Sequence, residues 1–399
     1  MEEEKRSRGE TLRKFILSEI KKRGPIPFSQ FMEWCLYHPD YGYYRSEKMN
    51  IGKDGDFYTS PCVHPVFGGL IAKQLCQMWQ QMGGKNFDVV EQGAGRGFLC
   101  GDVLQWAKRN VPSFYQGLRY YLLETSSSLI REQRERLSEH EKEARVFWWD
   151  SETFEEGTNP VEGCFLSNEL VDAFPVHQVI LNHGELKEIY VTQDHGRLEE
   201  KVGELSDSRI ASYFESTDIL LQEGQRAEVN LRALDWMEKV SQCLKRGFVL
   251  TIDYGYCAKE LYSPSRREGT LLCYAHHQTS DNPYDHLGEQ DITSHVNFTS
   301  LIQKGEEVGL RFTGLVPQYR FLIALGLLQE MECLEREMSE IDALQLRLSL
   351  KHLIEPETGM GEVFKVLIQH KGMAEPELDG LRELRSIPWQ SSKLQGEGL

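Results

Sequence analysis

No two of the nine cysteines stand in a C-x-x-C spacing; they lie scattered from Cys35 to Cys333. That excludes a zinc ribbon and a disulfide frame, and fits reduced thiols in a cytosol-like compartment. There is no run of 18 or more apolar residues, which excludes a spanning helix and sets the expectation of no membrane insertion. Positive charge is scarce, 45 Lys and Arg against 62 Asp and Glu, for a formal net charge of −17. A nucleic acid is therefore excluded as the main partner, because phosphate neutralisation needs a basic face. A cationic substrate is compatible with the charge. The opening MEEEKRSRGE has neither the apolar run of a secretory signal nor the acid-poor character of a transit peptide, so a bacterial cytoplasmic location is expected. His276, His277, Asp281, Asp285, His286, Asp291 and His295 share one loop, yet none has H-E-x-x-H spacing. They read as solvent-facing, and no metal is expected. Internal repeats and low-complexity tracts are also absent.

What is present is a 399-residue chain with 40% hydrophobic and 27% charged residues, enough for a large core. The stretch FDVVEQGAGRGFLCGDVL, from Phe87 to Leu104, is an apolar strand, a glycine turn and the start of a helix. Gly93, Gly95 and Gly97 suit a backbone with unusual dihedrals that a ligand approaches closely. A dinucleotide fingerprint places glycines at relative positions one, three and six. Position six from Gly93 is Phe98, a bulky ring. The pattern here is Glu91-x-Gly93-x-Gly95-x-Gly97, which resembles motif I of the class I S-adenosylmethionine-dependent methyltransferases.

The strand Arg119 to Thr125 ends in Glu124, 27 residues past Gly97, where a carboxylate can grip a ribose diol. Asp150 ends a third strand and is a further acid within reach of an adenine. GCFLSNELVDAFPVHQVIL places Asn168, Glu169 and Asp172 directly after a buried strand, where open α/β sheets carry their chemistry. Glu169 and Asp172 are one helical turn apart and can face one substrate. Residues 176–205 read as an inserted β-meander with turns at Asn182-His183-Gly184 and Asp194-His195-Gly196. Arg226 to Gly247 reads as a helix closed by Gly247, followed by a buried strand ending at Asp253. In 321–354 the row Met331, Leu334, Met338, Ile341, Leu344 and Leu348 has helical spacing. It fits a long helix packed on its own core, with a homodimer or partner surface as the alternative.

Taken together, GPIPFSQFMEWCLYHPDYGYY, GDFYTSP, EQGAGRG, SNELVDAFPV, IDYGY, DITSHVNFT and GMGEVFKVL resemble, in order, the MidA family, over about Leu12 to His370. The resemblance implies an α/β, Rossmann-like class I methyltransferase fold: a mostly parallel seven-stranded sheet with an antiparallel last strand. It implies an N-terminal helical segment and lid loop over 1–80 and a methyltransferase domain over 81–372. That domain would carry the 176–205 meander and the 321–354 helices, with 373–399 as a tail. It implies S-adenosyl-L-methionine against Gly93, Gly95 and Gly97 with Glu124 on its ribose, Asn168 and Glu169 at the substrate mouth, and the Asp56-Phe57 loop as a lid; Asp56, Phe57, Glu91, Asp150 and Asn168 complete the expected cofactor-binding set. The mitochondrial relatives are similar to protein arginine methyltransferases of respiratory complex I assembly, which makes a protein with an accessible arginine, such as a respiratory-complex subunit, the implied partner. Glu169, with Asp172 or Asp253, is the candidate catalytic set. A small-molecule methyltransferase and a cofactor-binding assembly factor without turnover are the alternatives. One departure from the family is Ser60-Pro61-Cys62-Val63, where the usual loop reads S-P-E-V.

Overall fold

The structure is a computed structural model describing residues 2–45, 60–157, 159–275, 278–336, 338–355 and 361–383. At its centre lies Phe87–Gln92 (β1), whose Val89 enters one core cluster and Val90 another. Successive side chains of a strand point to opposite faces, so this strand is covered on both. Around it stand Leu118–Leu123 (β2), Val146–Trp149 (β3), Val161–Asn168 (β4), Leu244–Tyr256 (β5), Arg311–Pro317 (β6) and Phe364–Lys371 (β7). The sheet is ordered β6-β7-β5-β4-β1-β2-β3. β1 to β5 pair in parallel, and β7 runs antiparallel to both β5 and β6. A two-residue strand, Val296–Asn297, extends the pairing at the tip of β5. The strand order reverses between β1 and β4, and that reversal opens a crevice at their carboxyl ends.

Val66–Gln81 (α1) and Phe98–Asn110 (α2) cover one face of the sheet. On α2, Leu99, Cys100, Val103, Leu104 and Ala107 recur at helical spacing and are buried. Each such leucine or valine contributes about 1.5–3 kcal/mol by leaving water. Leu231–Cys243 and Phe298–Glu307 cover the opposite face. Asn230 and Asn297 cap those two helices by accepting the N–H groups of Ala233 and Ser300.

The meander is present as His177–Asn182, Glu185–Asp194 and Arg197–Gly203. Both tight turns hold positive φ at His183-Gly184 and His195-Gly196, the conformation two-residue hairpins favour. The meander does not stand alone: Ile26–Pro27 and Arg226–Val229 complete a five-stranded sheet.

Four expectations are corrected. The helix expected from Arg226 begins only at Leu231, because Arg226–Val229 pairs in the five-stranded sheet. Asp291, expected to face solvent, is buried. Gly247 does not close a helix; it lies inside β5 at φ +133, and a Cβ there would fall 1.9 Å from the Gly163 carbonyl oxygen. Close strand approach, not helix termination, demands the glycine. The 321–354 region is not one helix but Gln318–Ala324, Leu327–Glu335 and Glu340–Ile354, interrupted at Gly326 (φ +101) and at the Ser339 cap. The apolar row therefore loses its phase. In the last helix Ala343, Leu346, Leu350 and Leu353 face the core, while Ile341 is 71% exposed.

Candidate active site at the carboxyl end of the central sheet

β1 delivers the glycine turn, with Gly93, Gly95 and Gly97 at φ +74, +52 and +76. These are left-handed values that glycine alone takes without strain. A Cβ on Gly93 would lie 2.9 Å from Leu170 Cδ1, and one on Gly97 would lie 3.3 Å from Gln133 Cγ. Gly97 caps α2 and has no side chain to offer its first-turn N–H groups. Glu91, expected at the cofactor, is buried at the end of β1 beside Tyr120. Its Oε2 accepts the Tyr120 hydroxyl at 2.7 Å, and burial pushes its carboxyl up to about 7.

Glu124 follows β2 at the neighbouring strand end. Its Oε1 accepts the N–H groups of Thr125 and Ser126 at 2.7 and 2.8 Å, and its Oε2 meets Gln133 Nε2 at 3.5 Å. Held this way, the second oxygen keeps acceptor capacity for hydroxyls. Burial raises this carboxyl while those donors oppose the rise. Asp150 is exposed one residue past β3. Asp56 and Phe57 lie outside the described residues.

On the other side of the crevice, β4 ends at Asn168 and the chain turns through Glu169 to Asp172. Glu169 is a non-glycine residue at φ +53, and its N–H donates to the Ile252 carbonyl at 2.9 Å. Such backbone strain is tolerated where the surroundings fix it, and it gathers at functional sites. Asp253, at the end of β5, does the fixing. Its Oδ2 accepts the N–H groups of Leu170 and Val171 at 3.2 and 2.9 Å, and its Oδ1 accepts that of Tyr254 at 2.9 Å. Asp253 is fully buried, and both its oxygens are committed to the backbone of the turn. Asn230 Nδ2 donates to the Val171 carbonyl, and the Ser294 N–H to that of Asp172.

The two remaining acids have open oxygens. Glu169 Oε1 accepts from the Ser60 N–H and from Asn168 Nδ2, each at 2.9 Å; among the described residues Oε2 has no hydrogen-bond donor. Asp172 hydrogen-bonds Tyr254, yet among the described residues its buried Oδ1 has no partner; neither have Ser167 Oγ and Asn168 Oδ1 on β4 or Thr251 Oγ1 on β5. Burial pushes Glu169 up to about 8 and Asp172 up to about 6. Burial and the neighbouring Asp172 raise Asp253. Among the described residues no lysine or arginine pairs with these three carboxylates. Sequence reasoning missed the wall around them: Tyr37 donates to the Ala173 carbonyl at 2.9 Å, Tyr44 to Asp291 Oδ1 at 2.8 Å, and the two rings stack 5.3 Å apart. The run of aromatics in HPDYGYY was the available signal, and it reads equally well as core.

Leu170 against Gly93 puts the glycine turn and the acidic turn in direct contact. A methionine-derived sulfonium nucleoside fits this donor set: a glycine turn with uncapped N–H groups, an oriented carboxylate one strand over, and orphaned acceptors at the β4 end. Residues 70–316 match the family model described as "Putative S-adenosyl-L-methionine-dependent methyltransferase". The mitochondrial protein arginine methyltransferase NDUFAF7 of Danio rerio is 28% identical over 88% of this chain and 85% of its own length. Its homolog in Drosophila melanogaster is 27% identical over 92% and 87%. A crystal structure of a "likely methyl transferase" from Burkholderia thailandensis bound to S-adenosyl-homocysteine has a TM-score of 0.84 at 29% identity, covering 94% of this chain and 96% of that one.

Proposed function

The chain belongs to the S-adenosyl-L-methionine-dependent methyltransferase family matched over residues 70–316, and on that premise we propose that it methylates arginine side chains of a protein. One observation carries the reading: Glu169 and Asp172 hold open oxygens, no cation among the described residues pairs with them, and they lie against the glycine turn through Leu170. Buried carboxylates without a counter-charge are unfavourable until a cation arrives. The names of the relatives, protein arginine methyltransferases, agree with a guanidinium in that place.

S-adenosyl-L-methionine, when bound, supplies an electrophilic methyl group on a sulfonium. Gly93, Gly95, Gly97 and Glu124 are the residues that would hold it. A guanidinium is protonated at neutral pH and its nitrogen lone pairs are delocalised. Glu169 and Asp172 together can take its N–H groups in a charge-assisted grip, aim one nitrogen and concentrate positive charge on the others. Asn168 and Ser60 hold Glu169 Oε1, leaving Oε2 for the acceptor. Asp253 keeps the turn in its strained shape. Positioning and electrostatics of this kind supply most of the acceleration for an in-line displacement.

Incubation of the full chain with radiolabelled S-adenosyl-L-methionine and a cell lysate tests the proposal. Label is expected in a protein band and, after acid hydrolysis, in methylated arginine. Label confined to small molecules, or to lysine, contradicts it.

A further inference from the structure

We infer that Gln133 is a positioning residue of the cofactor crevice, its amide setting the Gly95 peptide and the Glu124 carboxylate in register with one another. Gln133 lies on the helix Ser127–Arg136 between Leu129 and Leu137, four residues from each, at a place where the stripe is otherwise apolar. Its side chain is fully buried. A primary amide is unfavourable there unless its donors and acceptor are used.

All of them are used, and each reaches the carboxyl end of a different strand. Nε2 donates to the Gly95 carbonyl at 2.7 Å in the turn after β1, and meets Glu124 Oε2 at 3.5 Å after β2. Oε1 accepts from Trp148 Nε1 at 2.9 Å near the end of β3. An indole N–H only donates, so Trp148 fixes which end of the amide faces it. A flipped amide would set its carbonyl oxygen against the Gly95 carbonyl and the Glu124 carboxylate. Trp148 is itself held by the Arg134 guanidinium, 4.4 Å from its ring centroid. Gly97 belongs to the same arrangement, since a Cβ there would press on Gln133 Cγ at 3.3 Å. With the Gly95 carbonyl drawn to Gln133, the following N–H of that peptide points away from the helix. Gln133 thus links the two features that define the crevice, the glycine turn and the ribose acid.

The test is the affinity of the full chain for S-adenosylhomocysteine, by calorimetry between pH 5.5 and 8.5. Wild type, Gln133→Met, Gln133→Glu and Trp148→Phe are compared at each pH. Gln133→Met should weaken binding about tenfold, the worth of one or two lost hydrogen bonds. Gln133→Glu keeps the volume but sets a carboxylate against Gly95 and Glu124, with Arg45 near Glu124 as the nearby cation. Its affinity should fall more than tenfold at high pH and recover as the new acid is protonated. Trp148→Phe keeps a ring and frees the amide, and should weaken binding about threefold. Ligand-free melting temperatures separate a folding defect from a binding defect. Unchanged affinity in all three variants overturns the inference. So does a weak Gln133→Met beside a pH-independent Gln133→Glu and an unaffected Trp148→Phe. Should the Gln133 variants fail to fold, Trp148→Phe decides: loss supports the inference and unchanged affinity overturns it. The inference rests on the cofactor, not on the arginine acceptor, so a wrong acceptor leaves it standing.

Discussion

Glu169 bears two costs that a surface carboxylate does not: a left-handed backbone at φ +53 and burial that pushes its carboxyl up to about 8. The raised value has a sign. The folded chain keeps a proton there that the unfolded chain releases near its ordinary 4.5, so this contribution to stability is complete below about 4.5 and is lost as pH rises through about 8. Glu169→Gln should flatten the fall in melting temperature between about pH 4.5 and 8, as thermal denaturation without cofactor would show. Catalysis runs the other way. A cation needs ionised partners, so kcat/KM for an arginine acceptor should climb from about pH 6, where Asp172 ionises, toward about 8. A profile flat across that window would remove these acids from the acceptor site. On the cofactor side, Glu124→Ala should weaken S-adenosylhomocysteine binding about tenfold to a hundredfold, since charge-assisted bonds to hydroxyls are worth about 1.5–3 kcal/mol.

The elements form the seven-stranded class I methyltransferase sheet, six strands parallel and β7 antiparallel. The three terminal helices make a separate test of packing. Leu346 is 4% exposed and Leu344 54%. Leu346→Ala should cost about 2–4 kcal/mol, and Leu344→Gln should stay within about 0.5 kcal/mol, by chemical denaturation. Much of the site was legible in the sequence because it is local. The turn, Glu124 and the Asn168 to Asp172 run each follow a strand within a few residues, and strand ends are where an open sheet does chemistry. What escaped was long-range. Asp253 reads as a catalytic acid until its two oxygens are seen holding three backbone N–H groups. Nor does the sequence show that Tyr120 takes one oxygen of Glu91. The row from Met331 to Leu348 looks continuous because periodicity carries no record of the break before the Ser339 cap.

At the scale of the whole molecule, the N-terminal segment packs onto the carboxyl end of the central sheet. Phe28–Tyr37 packs in its own apolar cluster with Val176, Val191 and Ile292, and that cluster brings Tyr37 and Tyr44 over the acidic turn. Arg45 Nη1 reaches across to the Thr125 carbonyl at 2.9 Å, beside Glu124. The acidic turn and the Glu124 strand end are therefore tied by residues far apart in the chain. Tyr44→Phe, which releases Asp291, should lower kcat/KM for the acceptor severalfold while leaving S-adenosylhomocysteine affinity unchanged, a split that steady-state kinetics beside calorimetry would register.

The most direct measurement sets Glu169→Gln beside the wild type and reads two quantities on each: transfer of labelled methyl to protein-bound arginine, and affinity for S-adenosylhomocysteine. Transfer should drop by at least about a hundredfold with the affinity held. Transfer at the wild-type rate in the variant would contradict the assignment of this turn as the acceptor site.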